Sequence, residues 1–420
     1  MLSKRALFGA VMTLAALCAN AQTSTNSPYT RFGLGDLCNQ AAAGNSAMGG
    51  IGYGLRDNTM VNTMNPASYT AVDSITMMMD VGLSLTNSYY NEDGWRTNAK
   101  NSSFDYVVLQ FRFKPWLGFA AGFRPYSQVG YYFYNTTEVT GNEDVTATNS
   151  YDGEGGLHEV FMGFGLKLLK NLSIGVNAGY LYGDIDYTAM VTFSEDSDYS
   201  VVYNELTINT YKLDFGLQYT QKIWKNHSLT LGLVYGLGHK ANSSEVKAIQ
   251  LTDGSSYANS QGTIYRDAYE LPHTFGAGLV YNKAGNFTLG VDYELQKWSK
   301  LMYNGQKGWY NDSERFAVGL EFIPKTITKK FLERVKYRLG AYYKTPYMKI
   351  ATGEKAPKEY GICAGLGFPI NLYQRRSVIS VTGQYVRLES STPSLLSENR
   401  FVLKLGMTFN EHWFMKWKLN

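Results

Sequence analysis

The chain has 420 residues and a formal net charge of +4, with 33 tyrosines, 21 phenylalanines, 42 glycines and 10 prolines. So small a net charge gives no reason to expect nucleic acid or a strongly acidic partner, and three cysteines exclude a disulfide scaffold. No long window is dominated by Ala, Glu, Lys and Leu, which excludes a helical bundle; Tyr and Phe interleaved with Gly suit a large antiparallel β protein.

Lys4 and Arg5 form a basic n-region, ALFGAVMTLAALCA an apolar h-region, and Ala19-Asn20-Ala21 a small-x-small cleavage site. Residues 1–21 therefore read as a signal peptide, with Gln22 as the mature N-terminus. Beyond it, no run reaches the roughly 18 apolar residues of a membrane-spanning helix. Cleavage leaves Cys38 and Cys363, and the sequence permits either one bridge or two free thiols.

Residues 22–73 show no alternation. Gly49, Gly50, Gly52 and Gly54 permit tight turns against a neighbouring surface. In NPASYTAVD, Asn65 is a good helix cap and Pro66 belongs at the first helical position. A segment of this kind ahead of a wide barrel sits outside it or fills its lumen. Its wording suits a packed plug.

From residue 74 the period is two. In NFTLGVDYELQKW, Phe287, Leu289, Val291, Tyr293 and Leu295 share one face, and Thr288, Gly290, Asp292, Glu294 and Gln296 the other. RFVLKLGMTF repeats the pattern with Phe401, Leu403, Leu405, Met407 and Phe409. About fourteen such segments start near residues 74, 103, 117, 156, 172, 205, 228, 267, 286, 314, 335, 359, 377 and 400, an even number that marks a transmembrane antiparallel β-barrel. The links 88–102, 135–154, 246–266 and 301–313 are long and polar, whereas Lys114-Pro115-Trp116, Lys170-Asn171 and 282–286 are tight. Long outer loops alternating with short periplasmic turns are the barrel arrangement, and 324–334 is the one long exception. A soluble sandwich also permits alternation, but strands this long and numerous exceed one. The expected division is a signal peptide at 1–21, a plug or hatch at 22–73, a barrel at 74–409 and a periplasmic tail at 410–420. In the tail, Lys416 and Lys418 follow an interfacial Trp413, Phe414 and Trp417.

The third strand, LGFAAGFRPYSQVGYYFYN, contains Pro125, which has no N–H for the ladder, and Gly130 close behind it. Kept whole, the run predicts a kink and a hole in the wall; a loop between two shorter segments is the alternative. The inward face carries Gly163, Gly165, Gly175, Gly179, Gly276, Gly278, Gly365 and Gly367, which either leave lumen volume or let a plug lie against the wall.

The run AMGGIGYGLRDNTMVNTMNPAS resembles the N-terminal hatch of the FadL family of outer-membrane transporters for long-chain fatty acids and other hydrophobic compounds. Ala47, Gly49, Gly50, Asp57, Asn65, Pro66 and Ala67 stand at its matching positions. ELPHTFGAGLVY, DYELQKWSKL and RLGAYYKTPY extend the resemblance over most of the chain, while SPYTRFGLGDL and NEHWFMKWKLN look like a Bacteroidetes-type branch. The resemblance implies fourteen strands, a hatch, and lateral release of ligand through a gap at the kinked third strand.

Arg112, Lys167, Lys212 and Arg338 point inward and could hold a fatty-acid carboxylate; pairing with inward acids such as Asp214, Asp292, Glu294 and Glu321 is the competing account. The five histidines are scattered, and no nucleophile elbow or metal-ligand set accompanies them, so no enzyme activity, cofactor or metal is expected. Two functions remain. One is passive uptake of a fatty-acid-like hydrophobic molecule by a monomer in the outer-membrane lipid, with lateral release at Pro125 and Gly130. The other is a structural or secretion-associated barrel of the same fold that binds partner proteins. An apolar cavity continuous with the wall gap would mark the first, and a filled lumen the second.

Overall fold

The computed structural model describes residues 24–412, apart from 74–75, 93, 195–198, 253–256, 260–261, 284, 304–305, 326–327, 351–354, 373–374 and 390–395. The expected signal peptide and the residues named in the tail fall outside the described residues.

Fourteen strands form a closed antiparallel wall. In chain order they are β1 (Thr76–Glu92), β2 (Trp95–Lys114), β3 (Leu117–Pro125 and Ser127–Val139) and β4 (Asn142–Gly155 and His158–Lys167). Then come β5 (Leu172–Phe193), β6 (Tyr199–Trp224), β7 (His227–Gly236 and Ser243–Thr252) and β8 (Thr263–Arg266 and His273–Lys283). The wall continues through β9 (Phe287–Lys297), β10 (Ser313–Phe322), β11 (Lys336–Lys344), β12 (Lys358–Leu372), β13 (Arg375–Glu389) and β14 (Ser397–His412). β14 pairs with β1 from Thr76↔His412 to Asn91↔Ser397, which closes the cylinder.

The period-two pattern decides which face meets lipid. On β9, Leu289 and Val291 are exposed while Thr288 and Asp292 on either side of them are buried. Their ladder partners repeat this, with Val291 opposite Val318, so an apolar band faces outward around the wall as in outer-membrane barrels. No helix among the described residues is long and apolar enough to cross a membrane.

Several expected boundaries are corrected. The polar links at 88–102 and 135–154 are largely strand: β1 runs to Glu92, β2 begins at Trp95, and the outer parts of β3 and β4 pair from Val129↔Gly155 to Val139↔Asn142. Beyond the bilayer both faces of a strand meet water, so the ladder continues after the alternation that betrayed it has stopped. Among the described residues the strands of the wall run from Thr76 to His412. Both Cys38 and Cys363 are free thiols.

The third strand is interrupted. β2 pairs with β3 only from Val107↔Phe123 to Lys114↔Leu117, and its stretch from Trp95 to Tyr106 pairs with β1 alone. The outer half of β3 turns inward and meets the two-residue strand Asp36–Leu37 through Asp36↔Gln128 and Leu37↔Ser127. The wall is therefore open between β2 and the outer half of β3. The bend is shared with the next strands. Tyr126 N and Ser127 N both donate to Leu157 O at 2.7 and 3.1 Å, and Gly156 N donates to Asp184 O at 3.0 Å. Gly156 (φ 149°) and Gly183 (φ 150°) adopt a backbone that other residues avoid. Pro125 ends the inner half. Gly130 is not at the break: it lies within the outer half, where its N–H donates to Thr30 Oγ1 at 3.3 Å.

Candidate functional site

Residues between Ser27 and Val72 meet the wall at many points, and rows of glycine receive them. Gly118, Gly165, Gly175 and Gly216 lie opposite one another on β3, β4, β5 and β6. Against this row lie Asn65, Pro66 and Tyr69; a Cβ on Gly165 would stand 2.7 Å from Pro66 O. A second row, Gly290, Gly319 and Gly340 on β9, β10 and β11, receives Met48, Gly49 and Ile51. Between them, Gly232 opposite Gly278 receives Tyr53 and Gly54. Only hydrogen at these wall positions lets two backbones approach so closely.

Polar anchors fix the segment along its length. Asp292 Oδ2 accepts from Gly52 N at 2.6 Å and Tyr53 N at 2.9 Å, and Tyr53 Oη donates to Glu294. Arg315 donates to Gly49 O at 2.5 Å and Gly50 O at 3.4 Å. Gly49 and Gly50 turn there with φ of 67° and 74°. Asn65 Oδ1 accepts from Ala67 N at 3.1 Å and caps the short 3-10 helix Pro66–Ala71, as its sequence predicts. Tyr69 Oη donates to Asn177 Oδ1 at 2.7 Å. Asp57 accepts from its own loop at Thr59 N (2.7 Å) and faces Lys336 at 3.4 Å. Burial opposes ionisation of Asp57, but Lys336 and the Thr59 bonds outweigh it and hold its carboxyl below the usual range.

A buried aromatic cluster lies towards the long-loop end. Trp298 is fully buried, with ring centroids 4.7 Å from Tyr347 and 5.3 Å from Tyr310. Tyr347 Oη accepts from Leu34 N at 3.1 Å and donates to Gly35 O at 2.6 Å. Leu34, Tyr269 and Met348 pack with them against Val129, Leu157, Leu181 and Leu206 from the inward-leaning strands. Aromatic burial on this scale is strong stabilisation, because each ring removes about 150–250 Å² from water.

Beside these groups lies a cavity of about 280 Å³, and it reaches the wall gap at Asn101, Ser103, Asp105 and Gln128. Its walls carry Asp36, Asp214, Glu294, Arg315, Arg400 and Lys404. Gln128 Nε2 donates to Ser103 Oγ at 3.0 Å, across the break in the ladder. Cys38 lines the same space, where burial, then Asp36 and Asp105, push its thiol well up.

The four inward cations divide into two pairs. Lys212 meets Asp214 and lies 3.6 Å from Glu159, which also accepts from Arg124 at 3.0 Å. Arg338 donates to Glu321 at 2.7 Å and to Ser380 at 3.1 Å. These two are held by carboxylates of the wall. Arg112 donates to Val72 O at 2.8 Å, and with Lys167 it lines a separate cavity at the short-turn end. Asp292, Arg315 and the Arg124–Glu159 pair were not singled out from the sequence as anchors. Their signal was present: charged residues at inward positions of otherwise apolar strands.

A family model described as BamG matches residues 1–420. The chain belongs to the BamG family. No curated protein matches it. Among solved structures it is similar to the Ralstonia pickettii toluene transporter TbuX, with a TM-score of 0.61 and 11% identity over 89% of this chain and 99% of that one. The P. putida toluene transporter TodX gives 0.60 and 12% over 90% and 100%, and a Pseudomonas aeruginosa FadL homologue 0.60 and 12% over 89% and 99%. At such identities the likeness concerns the fold: this BamG-family chain is a FadL-type outer-membrane barrel. Its structural neighbours are transport channels, not enzymes.

Proposed function

We propose that the chain is a sealed, non-transporting barrel of the outer membrane that holds partner proteins, with residues 22–73 as its plug, 76–412 as its wall and 413–420 as a periplasmic tail. One observation carries this reading. The cavity beside the plug and the aromatic cluster holds about 280 Å³, and its lining is charged. That volume lies at the lower edge of the range for small hydrophobic ligands, roughly 300–1,000 Å³, but such sites are lined mainly by apolar side chains. Moving a fatty-acid-like molecule through this space would strip water from buried ions or apolar surface without replacement. Gly49, Gly50, Asp57, Asn65, Pro66 and Ala67 serve, in this reading, to lock the plug rather than to release it.

A second reading, uptake of a hydrophobic compound with lateral release beside Pro125, is favoured by the open stretch of β2 from Trp95 to Tyr106 and by neighbours named as toluene transporters. Native mass spectrometry of the detergent-extracted protein separates the two. The scaffold reading expects a protein partner in fixed stoichiometry and an empty lumen; a monomer carrying hydrophobic small molecules would support transport instead.

A further inference from the structure

At the short-turn end, below the plug, a cavity of about 830 Å³ opens to the side that short turns mark as periplasmic. Six basic side chains line it, Arg56, Arg112, Lys167, Lys325, Arg334 and Lys336, against three acids, Asp57, Asp73 and Glu321. Two of the acids are already paired with cations, and the third is held by an amide. Asp57 faces Lys336 at 3.4 Å, Glu321 accepts from Arg338 at 2.7 Å, and Asp73 accepts from Asn58 at 3.0 Å. Arg56, Arg112, Lys167 and Arg334 have no carboxylate within 4.0 Å among the described residues.

Two further observations show charge left over. Arg56 and Arg112 dock on the same short helix and the residue after it: Arg56 donates to Ala67 O at 3.2 Å and Thr70 Oγ1 at 2.8 Å, and Arg112 to Val72 O at 2.8 Å. Neutral oxygens satisfy hydrogen bonds but leave the charge uncancelled. Burial, and then Arg112 itself, lower the pKa of Arg56 to about 10. Across the mouth, Arg334 Nε is buried without a hydrogen-bond partner. It belongs to the 324–334 link, the one long turn at this end, which also exposes Lys325, Lys329 and Lys330 around a single Glu333.

We propose that this mouth is the docking site for an extended acidic peptide segment of a periplasmic partner protein. The spacing selects a chain over a small anion. Arg112 and Lys167 stand on β2 and β4, whereas Lys325 and Arg334 lie between β10 and β11, on the far side of a fourteen-strand wall. One phosphate or carboxylate cannot reach both groups. An extended chain advances about 3.3–3.6 Å per residue and places several carboxylates along the span. This rests on the scaffold reading for the partner being a protein.

The test uses full-length protein in detergent, with fluorescein-labelled octaglutamate as probe and octalysine as control. Saturable octaglutamate binding that weakens steeply with salt is expected. The double variant Arg112→Gln, Lys167→Gln and, separately, Arg334→Gln should each weaken it at least tenfold, while Lys300→Gln on the opposite end should not. Heat-modifiable gel mobility confirms that each variant is folded. Equal binding of octaglutamate and octalysine, or unaltered binding in both variants, would overturn the proposal. Displacement by inorganic phosphate far beyond chloride at equal ionic strength would also overturn it, in favour of a small-anion site. None of these results depends on whether the lumen conducts, so failure here is distinct from failure of the scaffold reading.

Discussion

Substituting Gly340 with Val tests how tightly the proposed plug is seated on the wall. A Cβ at Gly340 would stand 2.0 Å from Gly49 N and 2.2 Å from Met48 C, both backbone atoms that cannot rotate away. Ordinary contact begins near 3.4 Å, so the segment must lift by about 1.4 Å or more, beyond the reach of a hydrogen bond made at about 2.9 Å. The Arg315 bonds to Gly49 O and Gly50 O are then lost. At about 1.5–3 kcal/mol for each bond to a charged group, the loss is roughly 3–6 kcal/mol, at least a hundredfold in the plug's opening equilibrium. The wall should survive, because Val suits a strand between Leu339 and Ala341. The assay is limited trypsin digestion of the folded barrel, read as cleavage after Arg31 and Arg56. G340V should be cut at least tenfold faster than the parent while keeping heat-modifiable mobility. Gly383→Val is the control, since the nearest atom to a Cβ there is Ala364 O at 4.0 Å on the outer face. Equal protease resistance of folded G340V and the parent would refute the seating described here.

Asp292→Ala leaves Gly52 N and Tyr53 N without their acceptor; at about 1–3 kcal/mol for each orphaned group, the same digestion should accelerate, and an unaltered rate would remove Asp292 as an anchor. Asp57 has a depressed pKa, so its contribution to seating is complete above the unfolded value and fades as pH falls through the folded one. Protease resistance should accordingly hold from neutral pH down to about 5 and weaken below about 4, using an acid-active protease, and Asp57→Asn should abolish that acid step. Amides of β2 from Trp95 to Tyr106 should exchange hydrogen faster than those from Val107 to Lys114; equal protection would mean that the wall is closed. Pro125→Val alone should leave that contrast intact, because Gly156 and Gly183 share the bend.

Strand number, sheet closure and the capped Asn65 turn were legible in the sequence because each is a local pattern: period two, length, and a cap followed by proline. The outer parts of β1 to β4 were not, since water on both faces erases the alternation on which the reading depended. The glycine rows were visible as inward glycines, but their alignment across strands is set by ladder register, which no single strand encodes. Gly130 was placed at the kink by its nearness to Pro125; the bend instead spans three strands and needs Gly156 and Gly183, far apart in sequence. Likewise, Lys212 and Arg338 looked like ligand contacts until register brought Glu159, Asp214 and Glu321 beside them.

The central claim is that the lumen is sealed, and the most direct measurement is uptake of radiolabelled toluene and of a long-chain fatty acid into cells that carry the barrel as their sole FadL-type protein. The account expects uptake at the rate of cells lacking the barrel, with no change on substituting Pro125. Saturable uptake above that rate, lost when the gap between β2 and β3 is closed, would contradict it.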